Sequence, residues 1–268
     1  FIPDDFKVTD WQTLEPYFED LLKREIPDKL ALEKWLRDQS ELEAIVDEDA
    51  SWRQIRMTCN TEDKNLRDSF NYFYLEIHPH IQPYSDLLNK KLLALPILDQ
   101  LDRDKYFVYL RNANKNIEIF REENIPLQAE VAILQQEYGK IVGAMAIDVD
   151  GKIYTLQQAT TFLQSHNREL RKEVFLKIQE RRLQDKDLLD KLFTTLIELR
   201  HKEAQNAGFD TFRDFRFKEL GRFDYTKEDC FNFHEAVKQY VLPLVNEVLA
   251  KKKERLGAKS SIFIPRLK

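Results

Sequence analysis

Apolar residues recur every three to four positions along most of this chain, the period of a helix with one buried face. Trp11, Leu14, Phe18, Leu21 and Leu22 form the first run, behind Thr9 and Asp10 as cap candidates. A second run opens near Asp28 with Leu32, Trp35, Leu36, Leu42, Ile45 and Val46, and continues through Trp52 to Met57 with a bend or break around Ser40. Asn60 reads as the N-cap of a third helix, whose face is Leu66, Phe70, Phe73, Tyr74, Ile77, Ile81, Tyr84 and Leu88. Pro79 and Pro83 fall inside that face. Each removes a backbone donor and crowds the turn before it, so a kink is predicted. Residues 94–99, with Pro96, read as a connection. Asp102 caps a fourth helix bearing Tyr106, Leu110, Ala113, Ile117 and Phe120. Pro126 suits the first turn of a fifth, which carries Leu127, Val131, Leu134, Tyr138, Ile141 and Met145.

Residues 146–155 break the period: apolar and polar positions alternate around Asp150 and Gly151. That pair supplies the positive φ values of a tight turn, so two short strands are predicted. A lone hairpin is marginal in water and must lie against helices. Residues 156–164 read as a short helix. Asn167 then opens one long helix through Leu170, Val174, Ile178, Leu189, Leu192, Phe193, Leu196 and Leu199, closed near Gly208. Residues 209–222 are aromatic and irregular, and Thr226 with Asp229 resembles a capping box. The last helix presents Cys230, Phe233, Val237, Tyr240, Val241, Leu244 and Val248 and stops at Gly257. The expected fold is mainly α, a multi-helix antiparallel array with one short β-hairpin near 146–155. The hairpin is the internal seam. An N-terminal helical subdomain spans 1–145, a hairpin with long helices spans 146–257, and 258–268 forms a divergent or disordered tail.

Composition agrees. Six glycines in 268 residues are few, as helical folds allow. A hydrophobic share of 43% with 18 Phe removes the disordered class. The net charge of −5 is uneven: residues 1–60 carry 15 acids against 8 bases, and residues 251–268 carry 7 bases against 1 acid. A nucleic-acid surface needs bases clustered across a face. A basic helix end instead complements the helix dipole, so nucleic acid is not an expected partner. No apolar run reaches the length of a membrane span, and the opening residues do not read as a leader. Cys59 and Cys230 make neither a CxxC nor a zinc spacing. They read as free thiols, which places the chain in a reducing cytoplasm.

The candidate chemistry is thin. His234 and Glu235 begin a zinc-like pattern, but Lys238 stands where the second histidine is needed, and an ammonium cannot ligate a cation. A helix face explains these residues. His78 and His80 flank Pro79, and on a helix their rings diverge. Asp148, Asp150 and Gly151 resemble a calcium-loop fragment without its later ligands, so turn chemistry suffices. Gly139 and Gly143 are spaced for close helix packing. Arg168, Arg171 and Lys172 could meet a peptide carboxylate, although a salt-bridged helix surface is the preferred reading. No Gly-rich phosphate loop or nucleophile elbow occurs.

The order of several features resembles the oligoendopeptidase F family. Trp11, Leu14, Glu15, Pro16 and Phe18, leading through 21–24 to Leu32, Glu33, Lys34, Trp35 and Leu36, are similar to the family's opening. The run 58–63, followed by Phe70, Phe73, Glu76, Ile77 and Pro79, resembles its next helix. Asp150, Gly151, Lys152, Thr155 and Leu156 with Asn167, Arg168, Arg171 and Lys172 resemble its central stretch. Leu199, Arg200, Ala204, Ala207, Gly208 and Phe209, then Asp224, Tyr225, Thr226, Asp229 and 233–237, resemble the segment ahead of its catalytic domain. The likeness covers residues 9–257.

It implies a thimet-oligopeptidase-like metallopeptidase, mostly helical, with a deep channel that admits short peptides but not folded proteins. Zinc is held in the C-terminal half by an HExxH helix and a later Glu, and the motif's Glu acts as general base on a zinc-bound water. The five histidines here, His78, His80, His166, His201 and His234, form no HExxH. The resemblance therefore carries no catalytic or metal residue onto this chain, and leaves its substrate-binding residues unnamed. The expectation is the N-terminal, substrate-channel part of a zinc metallo-oligopeptidase, inactive alone and without a cofactor of its own. Its partners are short peptides and its own catalytic C-terminal half, with no nucleic acid and no membrane. The alternative is a non-catalytic helical scaffold for protein interaction. Residues 258–268 depart from the Pro-Trp-Asp-like turn of family chains. A lone half is also expected to expose apolar surface where its partner packs.

Overall fold

Short polar side chains, Asp, Asn or Thr, begin most of the helices. Asp10 accepts from Thr13 N at 2.9 Å and starts α1 (Trp11–Lys23). Asp28 accepts from Ala31 N at 2.8 Å and starts α2 (Lys29–Cys59). The latter runs unbroken for 31 residues. The bend predicted near Ser40 is absent because neither proline nor glycine interrupts the ladder there. Asn60 closes α2 through its N–H to Arg56 O instead of opening the next helix. The cap of α3 (Lys64–Tyr72) is Asp63. A π-turn, Phe73–Ile77, joins α3 to α4 (His78–Leu93), whose second residue is Pro79. The disruption predicted at this proline thus takes the form of a π-turn just before it, where hydrogen bonds reach one residue further back.

After a 3₁₀ turn at Leu98–Gln100, Asp102 caps α5 (Arg103–Ile119) as predicted. Another 3₁₀ turn, Glu122–Asn124, leads into α6 (Ile125–Gly143), with Pro126 in its first turn. Strands β1 (Ala146–Val149) and β2 (Lys152–Thr155) pair antiparallel, Ala146 opposite Thr155 and Val149 opposite Lys152. Asp150 (φ 55°) and Gly151 (φ 77°) make the turn, and Asp148 Oδ1 accepts from Gly151 N at 3.1 Å. Then come α7 (Leu156–Ala159), a 3₁₀ stretch at Thr160–Gln164, α8 (Arg168–Gln184) behind its Asn167 cap, and α9 (Lys186–Asn206). The single long helix predicted from Asn167 is therefore two. It breaks at Asp185, whose carboxylate draws Arg181 Nη1 to 2.5 Å.

The stretch read as irregular holds α10 (Phe212–Glu219), capped by Thr211. Phe212, Phe215 and Phe217 hide its helical period by standing on more than one face. Thr226 and Asp229 complete their capping box, at 2.8 and 3.2 Å, ahead of α11 (Lys227–Ala236). A second π-turn, Val237–Val241, leads to α12 (Leu242–Arg255), which again has a proline, Pro243, as its second residue. The computed structural model describes residues 1–255. The predicted stop at Gly257 and the tail 258–268 lie outside the described residues.

The chain forms two compact units, 1–140 with 192–221, and 141–191 with the residues from 222 onward. Residues 192–221 belong to the first unit, whereas a division drawn at the hairpin assigns them to the C-terminal part. The first unit's main core gathers Leu14, Phe18, Leu21, Leu32, Trp35, Leu42, Phe73, Ile77, Leu88 and Leu92. Trp35 is fully buried and satisfies its ring N–H on Leu21 O at 2.8 Å. The returning segment adds a smaller cluster, Ala204, Ala207 and Phe215 with Ile119, Phe209 and Phe212. In the second unit Met145, Ile147, Val149, Leu156, Ala159, Val174 and Ile178 bury the hairpin against α7 and α8, as a lone hairpin requires. Among the described residues no helix is long and apolar enough to cross a membrane.

Candidate functional site: a polar cavity in the first unit

The first unit contains a cavity of about 530 Å³, within the range of small-molecule pockets. Several helices give it one face each. From α2 come Glu43 and Asp47, one turn apart, with Val46 and Ala50 beside them. Tyr74 in the π-turn is followed on α4 by His78, Gln82 and Asp86, each a further four residues along. Helix α5 adds Tyr109, Asn112 and Asn116, and α6 adds Gln128. Spacings of three and four put each set on a single helix face, so the helices bring polar stripes, not only apolar ones, to the interior.

Asp47 is the electrostatic centre of this wall. Burial pushes the Glu43 carboxyl up; a hydrogen bond from Gln39 Nε2 at 2.8 Å opposes this, and the charge of Asp47 adds to it. Glu43 is solvent-accessible but surrounded by protein on the cavity wall, so its ionised form is poorly hydrated. Burial also raises the Tyr74 phenol, with Asp47 adding, and the Tyr109 phenol, with Glu43 adding. The His78 imidazole is held down by burial, which Asp47 partly offsets. Gln82 Nε2 donates to His78 Nδ1 at 3.1 Å, which leaves the proton of the neutral ring on Nε2. Asp86 is 6% exposed; Lys90 holds its Oδ2 at 2.5 Å, and its Oδ1 has no hydrogen-bond partner. Arg121, also on the wall, donates to the carbonyls of Phe120 at 2.6 Å and Glu118 at 3.0 Å.

The structure separates the residues singled out in the sequence. His78 lines the cavity, while His80 stacks on Trp11 with ring centroids 5.4 Å apart, so the two rings do not converge. His234 and Glu235 are exposed on α11, and Lys238 Nζ lies 3.5 Å from Glu235 Oε2. Asp148 and Asp150 serve the hairpin turn. Arg171 is buried and donates to Ser165 O at 2.7 Å and His166 O at 3.1 Å, a tie to the turn ahead of its helix. Gly139 and Gly143 are exposed, and a Cβ at Gly139 would meet nothing within 4 Å, so the expected close helix packing does not occur there. Cys59 is an exposed thiol and Cys230 a partly buried one. Glu43, Asp47 and Tyr109 were not legible as a site. Their one signal was a four-residue polar step on helices whose neighbouring face is apolar.

Two models of one family match the chain in order, the Peptidase M3 N-terminal domain over residues 1–120 and Peptidase family M3 over residues 161–263. Among curated proteins, none matches it. A structure described as an oligoendopeptidase F from Bacillus anthracis str. Ames is similar at 21% identity with a TM-score of 0.87, over 97% of this chain and 48% of that one. PZ peptidase A with an inhibitor gives 21% and 0.87, over 95% and 46%. A further structure described as an oligoendopeptidase F gives 20% and 0.89, over 96% and 46%. At these identities the likeness is one of fold, and the chain spans about half the length of each. Together the two models span most of the chain, its N-terminal part matching the family's N-terminal domain, and the chain belongs to peptidase family M3.

Proposed function

We propose that this chain supplies the peptide-admitting part of a zinc metallo-oligopeptidase that cleaves short peptides in the cytoplasm, and that the hydrolytic chemistry belongs to a C-terminal portion beyond these residues. The observation that carries the reading is the ordered match of two models of one peptidase family across a chain half as long as its structural neighbours. Zinc, which the family resemblance implies, does not fit the residues present. Lys238 occupies the second ligand position, and among the described residues no group of three or more His, Cys, Asp or Glu could hold a metal. No step of hydrolysis is therefore assigned to this chain.

Uncovered apolar positions support the reading. Phe233, Tyr240, Leu244 and Val248 on the stretch from α11 to α12 are each more than 60% exposed. Contiguous exposed apolar surface marks a site where another surface packs, and the C-terminal half is the partner proposed for it.

The test is turnover of a quenched fluorogenic peptide. The 268-residue chain with added zinc is expected to be inert, and a longer chain that includes an HExxH segment to be active. Chelator-sensitive turnover by the 268-residue chain itself would overturn the assignment of chemistry to the other portion. Inert longer chains would favour the interaction scaffold.

A further inference from the structure

We propose that Glu203 is a proton-operated latch within the first unit: protonated, it holds the returning segment against α6, and ionised, it loosens that seam and with it one wall of the cavity. Glu203 stands on α9 and is 6% exposed. Its backbone carbonyl accepts from Asn124 Nδ2 at 2.9 Å, and its side-chain Oε1 accepts from Gln128 Nε2 at 2.6 Å. Asn206 adds its donation to Asn124 at 2.8 Å. Each side chain that meets Glu203 across this seam is therefore a neutral amide. Among the described residues its carboxylate forms no ion pair. The cations nearby are committed elsewhere. Arg200, one turn earlier on α9, lies over the Phe212 ring at 5.8 Å. Arg216 of α10 is taken by Glu219, and Lys218 by Glu118 at 2.6 Å. Lys115 of α5 donates to Glu219 O at 3.0 Å, and Arg121 to Ala207 O at 3.4 Å.

A buried carboxylate with an amide partner and no counter-ion is a poor place for a charge. Burial pushes the Glu203 carboxyl up. The Gln128 bond opposes this, the charge of Glu219 adds to it, and Arg216 and Arg200 offset only part. The folded unit therefore binds this proton more tightly than the open chain does. The stability linked to it is complete below the ordinary glutamate range, and is lost as pH rises through the folded value. A protonated carboxyl still offers Oε1 to Gln128, so the tie survives while the buried charge disappears. Gln128, Phe215 and Glu219 also line the cavity, so a loosened seam changes the cavity wall. A residue needed only as an acceptor could be glutamine at every pH. The carboxyl adds dependence on the proton.

Native-state hydrogen exchange of the 268-residue chain tests the latch. Exchange is followed between about pH 5 and pH 8 and corrected for the intrinsic rate at each pH. The quantity read is the protection of residues 203–209 relative to residues 14–21, which lie in the main core of the same unit. In the parent this ratio is expected to fall by about threefold or more as pH rises across that range. Glu203→Gln keeps the acceptor without the charge, and is expected to hold the ratio level. A parent ratio that stays level or rises with pH overturns the latch, whether or not the variant folds. An equal fall in Glu203→Gln also overturns it, because another group would then carry the proton. None of these outcomes bears on the peptidase reading, which is tested by turnover in the longer chain.

Discussion

Asn206 Nδ2 donates to Asn124 Oδ1 at 2.8 Å across 82 positions of sequence, and Asn124 Nδ2 donates in turn to Glu203 O at 2.9 Å. Asn124, 2% exposed, thereby ties the returning segment to the turn before α6. Replacing it with Ala removes both bonds, one to a carbonyl of buried Glu203 and one to half-buried Asn206. Asn124→Ala is expected to cost about 1–3 kcal/mol, read from the urea midpoint at about pH 7. An unchanged midpoint would mean that the returning segment is held by its apolar cluster alone.

Lys91 closes the C-terminal end of α1. Its ammonium donates to Leu21 O and Leu22 O at 2.8 Å and to Arg24 O at 2.6 Å, and lies 5.8 Å from the centroid of the Trp35 ring. Lys91→Met keeps the stem but loses the three donations, at an expected cost of about 2 kcal/mol. Lys91→Arg should not restore the loss, since a planar fork cannot address three convergent carbonyls as a point charge does. Chemical denaturation of both variants checks this, and full rescue by Arg would refute the geometry.

His78 should set part of the acid sensitivity. Burial holds its folded pKa below the usual value, so the unfolded chain takes up the proton first. The stability linked to the neutral ring is then complete above about pH 6.5 and is lost as pH falls below it. His78→Gln should lose less stability than the parent between about pH 7 and pH 5.5, measured as the shift in urea midpoint. A steeper loss in the variant would reverse the sign and contradict burial as the cause.

Gly139 stands in open space inside α6. With no packing reason for a bare Cα, Gly139→Ala is expected to stabilise the chain by about 0.5–1 kcal/mol through helix propensity alone. Thermal unfolding reads this, and a destabilised variant would point to a neighbour at this face.

The helix caps were legible because capping is local chemistry. Asp10, Asp28, Asp102, Asn167 and Thr226 each cap from within three residues of the groups they satisfy. The family resemblance was legible for a related reason, since the order of such features survives along the chain. The break at Asp185 and helix α10 were not. The first is a C-cap at Asp185 that no glycine or proline announces, and the second is held by Phe215, whose cluster includes the distant Ile119. The cavity was least legible. Glu43 and Asp47 look like any solvated stripe until α4 and α5 arrive opposite them. His78 was noticed for its neighbour His80, a pairing that the packing of His80 on Trp11 undoes.

The discontinuous first unit sets a condition on synthesis. Ile119 and the Asn124 side chain find their partners only among residues 203–215. A ribosome making the chain must pass residue 140 and release roughly eighty more before that part of the unit can close, about 4–16 s at common elongation rates. During that interval α5 and α6 present an unfinished apolar edge to the cell, while the hairpin and α8, whose partners are near in sequence, have already emerged. The hairpin layer of the second unit, although made later, is thus able to fold before the earlier-made first unit is complete.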